Sequence, residues 1–331
     1  MNYAVLGNTG IKISSIGLGC WAFAGGSYWG NQDERSSIST ILAAVDEGIN
    51  FLDTAEAYGD GKSEEVVGKA VQQCRDKVVI ATKAASTNLS GEKLVEACEK
   101  SLKRLHTDHI DLYQMHWPNR AVPFEETATA MKQLLKQGKV RALGVCNLGV
   151  TDLENFTKSV QIVTNQLPYS LLWRAIEDEI VPQSIKSGAG ILCYSPLSQG
   201  LLTGKYRSAD EVPIGRTGTR FYSSKRSDAR HGEPGLETET FDAISRIRTV
   251  CEHAKESMGH VSLAWLLRQK GVCSVLVGAR TPEHVRENAK VASMVLSDGV
   301  LKELTAATDE LKRKVGHNPD MWEGSLKSRF Q

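Results

Sequence analysis

Eight short β-branched or apolar runs recur along this chain, most about 30 residues apart, the length of one strand–helix–strand unit. They occupy 16–18, 49–53, 78–82, 110–115, 140–145, 162–166, 190–194 and 273–277. Amphipathic segments fill the gaps. Within 90–105 the apolar Leu94, Cys98, Leu102 and Leu105 fall at i, i+4, i+8 and i+11, one face of a helix. Ser90 reads as its N-cap. Thr151-Asp152-Leu153-Glu154 fits a capping box, and Ser63-Glu64-Glu65 reads as a capped start with acids in the first turn. Thr281-Pro282 places a cap residue before a proline at the first helical position. Eight strands alternating with helices predict a closed (β/α)8 TIM barrel, with an open doubly wound sheet as the alternative. The polar candidates cluster just after strand C-terminal ends all around the chain. A barrel gathers such positions at one mouth, whereas an open sheet gathers only those near its switch point.

Three pieces lie outside the repeat. Residues 3–14 carry a Gly7-Asn8-Thr9-Gly10 turn between apolar runs and predict an N-terminal β-hairpin that closes the barrel floor. Residues 206–239 are rich in Gly, Ser, Arg and Pro, which predicts a long loop before the last strand, disordered or acting as a lid. The tail from Ser297 predicts a C-terminal extra helix through Leu301, Leu304 and Leu311. No boundary interrupts the chain, so residues 1–331 read as a single domain.

Composition narrows the partners. Forty Lys and Arg against 39 Asp and Glu leave a formal charge of +1, no basis for holding nucleic acid or an anionic membrane. No apolar run is long enough to span a bilayer, and the first residues lack a basic segment ahead of an apolar stretch. Seven cysteines without Cys-x-x-Cys or zinc spacing read as free thiols in a reducing, cytoplasmic setting, with no metal site.

The chemistry sits at the strand ends. The second run ends in Asp53 with Tyr58 five residues on, the third is followed by Lys83, the fourth by His116. Each alone is as well explained by packing or a solvated surface. At one mouth, Asp53 would pair with a desolvated Lys83, and the ammonium would lower the pKa of the Tyr58 phenol. The phenol would exchange a proton with a developing alkoxide while the imidazole orients a carbonyl oxygen. No side chain supplies hydride, so this set implies a nicotinamide cofactor and a small carbonyl substrate. The glycines form neither a Rossmann fingerprint nor a P-loop: Gly17-Leu18-Gly19 continues into Cys20-Trp21-Ala22.

The chain resembles the aldo-keto reductases, and especially their bacterial general-stress and inositol-utilisation branch, over nearly its whole length. The motifs that carry the resemblance stand in order: Gly-Leu-Gly-Cys-Trp at 17–21, Asp-Thr-Ala-Glu-Ala-Tyr-Gly at 53–59, Lys83, His-Trp-Pro at 116–118, Gly-Val-Cys-Asn at 144–147, Asn-Gln-x-x-Tyr-Ser at 165–170, Tyr-Ser-Pro-Leu-x-x-Gly-Leu-Leu-Thr-Gly-Lys-Tyr at 194–206 and Gly-Ala-Arg-Thr-Pro-Glu-His-Val-Arg-Glu-Asn at 278–288. The resemblance implies reduction of aldehydes and ketones by NADPH, with Tyr58 as general acid, Lys83 and Asp53 tuning it and His116 orienting the carbonyl. It implies cofactor contacts from Cys20, Trp21, Cys146, Asn147 and Gln166, with Tyr194 stacking on the nicotinamide. Ser195, Leu197, Gln199, Gly200, Leu201 and Lys205 would surround the pyrophosphate. Gly278, Arg280, His284, Glu287 and Asn288 would hold the adenosine and its 2′-phosphate. Arg280 beside a helix N-terminus fits that phosphate and hence NADP over NAD. A monomer or weak homo-oligomer is the family-level expectation.

Cys146 and Cys20 stand where the family commonly has a hydroxyl residue, which suggests a looser carboxamide contact and inactivation by thiol reagents at Cys146. Trp21, Trp29, Trp117 and Trp173 fall in loops after strands and would line an apolar substrate slot. Two rival readings stand beside the reductase: a Schiff-base aldolase using Lys83, and a cofactor-sensing regulatory subunit with feeble turnover. His116 argues against the second, since such subunits lack a histidine there.

Overall fold

The computed structural model describes every residue, Ser27 without its side chain. All eight expected runs form strands of one closed parallel barrel: β3 (Ile16–Gly19), β4 (Phe51–Asp53), β5 (Val79–Ala84), β6 (Ile110–Met115), β7 (Val140–Cys146), β8 (Thr164–Pro168), β9 (Gly190–Tyr194) and β10 (Val272–Gly278). β10 closes on β3, with Gly278 level with Gly19. The barrel therefore holds and the open sheet does not. Between strands run α2 (Glu34–Asp46), α3 (Lys62–Val71), α4 (Gly91–Leu105), α5 (Phe124–Lys136), α6 (Val150–Ser159), α7 (Ile180–Lys186) and, before β10, α8 (Glu237–Ala254) and α9 (Met258–Leu267). A single turn, α1 (Gly26–Trp29), follows β3; α10 (Pro282–Lys290) and α11 (Asp298–Val315) complete the chain. No described helix is long and apolar enough to cross a membrane.

The hairpin β1 (Tyr3–Val5) and β2 (Lys12–Ser14) is antiparallel and plugs the barrel from below. Leu6, Ile11 and Ile13 pack on the inward residues Phe51, Val79, Leu112, Val163, Leu192 and Leu276. Gly7 turns at φ +47, and a Cβ there would come within 2.9 Å of Val163 Cγ1. The turn thus needs glycine for both its conformation and its close approach. With the floor filled by apolar side chains, polar chemistry is confined to the opposite end, where strand C-termini point.

Helix starts show where local pattern fails. Thr281 and Ser297 do cap α10 and α11, accepting from His284 N and Val300 N. Ser90 stands at the cap of α4 without a side-chain bond. Ser63 is no cap: α3 begins at Lys62 after Gly61, and the Ser63 hydroxyl donates to Cys20 O and accepts from Thr54 Oγ1. The 151–154 capping box also fails, because α6 starts at Val150 behind Gly149 and buried Asp152 pairs with Arg120 instead. In both places a tertiary partner outcompetes the local cap.

The long loop is neither disordered nor as long as expected; α8 already begins at Glu237. Phe221 and Tyr222 are buried, and Phe221 meets Trp173 edge-on at 5.2 Å. Arg220 donates to Val315 O, Asn318 O and Asp320 O and pairs with Glu233. Two aromatics and one guanidinium fasten a segment whose composition reads as unstructured.

Ile13 is fully buried in the plug. Ile13→Ala is expected to lower the unfolding free energy by about 2–4 kcal/mol in a denaturant titration, through lost burial and a residual cavity.

Candidate active site

Asp53 ends β4, and the chain turns at once: Tyr58 N donates to Ala55 O, which lifts the phenol back over the barrel mouth. Lys83 lies near the end of β5, level with Gln114 on β6. His116 follows β6 and is fixed by its own N–H to Ala84 O at 3.0 Å.

These four side chains meet. Lys83 is fully buried, and its Nζ donates to Asp53 Oδ1 at 2.6 Å, Thr54 O at 2.7 Å and Tyr58 Oη at 3.3 Å. All three ammonium hydrogens are used. Burial opposes the Lys83 charge, yet Asp53 and Tyr58 outweigh it and hold the ammonium above its ordinary range. Burial pushes Tyr58 up to about 12, although Lys83 pulls it down. The expected lowering by Lys83 is therefore real but smaller than desolvation. Burial, then the charges of Lys83 and Arg329, drive His116 down to about 3, so its imidazole is neutral. Its ring stands edge-on to Tyr58 at 5.7 Å.

Asn147 and Tyr194 come together beside this cluster. Asn147 sits at φ +62; its Nδ2 donates to His116 O, and its Oδ1 accepts from Tyr194 Oη at 2.9 Å. Gln166 Nε2 donates to Asp53 Oδ2 at 2.8 Å. Ser195, Ser198, Gln199 and Gly200 all take positive φ, a tightly curled backbone. A Cβ on Gly200 would lie 3.6 Å from Lys205 Nζ and 3.8 Å from Arg216 Nη1, so two cations border that glycine. Leu197 is half-buried, whereas Leu201 is buried in the core and presents only backbone.

Gly278 is exposed at the end of β10, and Arg280 follows it at the N-terminus of α10, with His284, Glu287 and Asn288 on that helix. Arg280 Nε donates to Gln32 Oε1 and its Nη2 to Asn31 O, both at 2.8 Å. Glu287 is paired with Lys290.

The aromatic residues divide. Trp21 is exposed and stacks between Tyr28 (4.9 Å) and Tyr58 (5.8 Å), with Trp29 edge-on. Trp117 lies under the Arg329 guanidinium at 3.6 Å and against Phe330. Trp173 is 1 % exposed and donates to Pro319 O, so it is a packing residue and lines no slot. Cys20 and Cys146 are buried, and burial raises both thiols. That removes the basis for ready inactivation at Cys146, since the thiolate is the reactive form.

Sequence reasoning missed Gln114, Tyr28, Arg216, Trp322, Arg329 and Phe330. Gln114 had a signal, an amide inside an otherwise apolar strand end. The tail residues had none: Trp322 stacks on Tyr194 and Arg329 lies over Trp117 through contacts remote in sequence. Among the described residues no group of three His, Cys, Asp or Glu could hold a metal ion.

The sequence matches the model of the aldo/keto reductase family over residues 15–309. It is 38% identical over 319 residues to aldo-keto reductase YhdN of Bacillus subtilis, covering 92% of each chain. It is 33% identical over 330 residues to the NADH-specific methylglyoxal reductase of Escherichia coli, covering 92% of this chain and 98% of the relative. An aldo-keto reductase of Klebsiella pneumoniae, solved in complex with NADPH, superposes with a TM-score of 0.73 at 28% identity, over 92% of this chain and 95% of that one. With a barrel, a buried Lys–Asp pair beneath a tyrosine, and this extent of similarity, the chain belongs to the aldo/keto reductase family.

Proposed function

We propose that this protein reduces aldehydes and ketones to alcohols with NADPH, taking the proton from Tyr58. The observation that carries this is the Lys83 ammonium, fully buried and bound at once to Asp53, Thr54 O and the Tyr58 hydroxyl. A phenol held this way stays protonated at neutral pH and can donate at the mouth, while the cation beneath it stabilises charge that develops on the phenolic oxygen.

The mouth fits a dinucleotide. The curled 195–200 backbone, open at Gly200 and flanked by Lys205 and Arg216, suits a pyrophosphate. Asn147, Gln166 and Tyr194 would hold the nicotinamide end, and Arg280 with the Thr281-capped α10 would take the 2′-phosphate. A nicotinamide bound there supplies the hydride. Tyr58 gives its proton to the carbonyl oxygen as the C–O π bond breaks, and the neutral His116 imidazole hydrogen-bonds that oxygen and orients it. Trp21 and Trp117 border the entry, and Trp21 already stacks on Tyr58. In the aldolase reading Lys83 would need a free lone pair and an open approach; it has neither.

Loss of NADPH absorbance with an activated aromatic aldehyde tests the reading directly, and no turnover despite cofactor binding would refute it. Tyr58→Phe is expected to cut the reduction rate by about 100-fold or more, with NADPH affinity by fluorescence titration nearly unchanged.

Arg280→Ala is expected to raise the KM for NADPH by about tenfold while leaving that for NADH nearly unchanged, because only the former carries the phosphate. Equal losses with both cofactors would show that Arg280 serves only the 31–32 loop.

The pH dependence has a defined sign. Tyr58 is the acid in reduction and is protonated below about 12, and His116 is neutral above about 3. Reduction should therefore show no limb from either group between about pH 5 and 9. Alcohol oxidation needs the phenolate, so its rate should climb with rising pH over the same range.

A further inference from the structure

Gln114 is fully buried, level with Lys83 on β5 and with Gly144 on β7. Its Nε2 lies 3.3 Å from Asp53 Oδ2. Its Oε1 accepts from Gln166 Nε2 at 3.4 Å and from Cys146 Sγ at 3.8 Å. The barrel makes room for it: a Cβ on Gly144 would come 3.1 Å from Gln114 Cγ and would also run into Thr164 Oγ1. An amide this deep among strands of apolar side chains needs both its ends satisfied, and both are.

The two ends do different work. Asp53 Oδ1 is taken by Lys83, so Oδ2 depends on Gln166 and Gln114 for its donors. Gln166 Nε2 in turn spends its hydrogens on Asp53 Oδ2 and Gln114 Oε1. That fixes which way the Gln166 amide faces and leaves its Oε1 without a partner among the described residues. Under the proposed function, on which this inference rests, that oxygen belongs to the cofactor site.

The geometry points to Gln114 as a positioning residue for the reaction: it orients the Asp53 carboxylate beneath Lys83 and Tyr58, and the Gln166 amide beside the nicotinamide, through one shared network. The proton donor and the cofactor contact are thereby set by the same buried amide. A carboxylate that loses a buried donor shifts or draws in water, and its lysine shifts with it.

Two substitutions of nearly equal size test this. Gln114→Met removes donor and acceptor; Gln114→Glu restores both, but only when the introduced carboxyl is protonated. The titratable groups facing the cluster are Asp53 at the end of β4, Tyr58 after it, Lys83 on β5, Cys146 on β7, Cys20 after β3 and His116 after β6. Of these, Lys83 stays charged, and Tyr58, both thiols and His116 stay neutral across the neutral range. A new limb in the Glu variant therefore reports the introduced group. Measured as kcat for carbonyl reduction by NADPH, the Met variant is expected to fall about tenfold at every pH, the loss of one charge-assisted buried bond. The Glu variant should approach the parent at acid pH and sink to the Met level as pH rises. A Met variant within twofold of the parent, or a Glu variant that tracks Met at all pH values, overturns the proposal. If the Met variant does not fold, the Glu limb alone decides. A parent protein that does not reduce carbonyl compounds refutes the proposed function itself; a parent that does, with unresponsive variants, refutes only the role of Gln114.

Discussion

A lysine with no solvent exposure is the constraint to which this barrel mouth is built. Removing one partner from a buried ion pair typically costs about 3–5 kcal/mol, because the other charge is left uncompensated. Asp53 must therefore sit where it does, and so must the Thr54 carbonyl and the Tyr58 hydroxyl that complete the ammonium's shell. The turn from β4 that brings Tyr58 back over the mouth has no freedom to drift while it supplies two of those three bonds. Stability and chemistry use the same contacts. The interaction that makes a buried charge tolerable also places a phenol at the entrance.

The field at this site is set by desolvation as much as by charge. Lys83 pulls the phenol toward ionisation, and burial pushes it further the other way. The net result suits a proton donor rather than a resting phenolate. His116 obeys the same logic with opposite sign: burial and two nearby cations keep the ring neutral. A neutral imidazole beside an ammonium adds no repulsion, yet still offers a hydrogen bond to a carbonyl oxygen. Tyr58 and His116 are thus kept in one protonation state each by burial in the same floor-sealed barrel.

Legibility in the sequence followed the range of the interactions involved. The eight strands could be read because period and spacing are local, and Asp53, Tyr58, Lys83 and His116 because strand ends in a barrel converge whatever the loops do. Ser63 and Thr151 misled, since a capping pattern competes with tertiary partners that a local window cannot contain. The 206–236 loop misled for a related reason. Its apolar content is low, but Phe221, Tyr222 and Arg220 are enough to fasten it to the tail. Trp173 read as a slot residue by its place after β8, and only the packed loop and tail reveal that Phe221 and Arg220 take up its ring and Pro319 O its N–H.

The C-terminal tail shows the same dependence from the far end of the chain. Asp320 is fully buried and accepts from Trp322 N, Glu323 N and the Arg329 guanidinium, so the tail folds around one carboxylate. Arg329 is then laid on Trp117, next to His116, and contributes to holding that imidazole neutral. Trp322 is laid on Tyr194, whose hydroxyl bonds Asn147, which in turn bonds the His116 carbonyl. Through these links a segment with no recognisable motif reaches His116 on one side and the Tyr194–Asn147 pair on the other. The tail is therefore the segment through which this mouth is most open to change. It can reshape the mouth while leaving the buried lysine and its three bonds undisturbed.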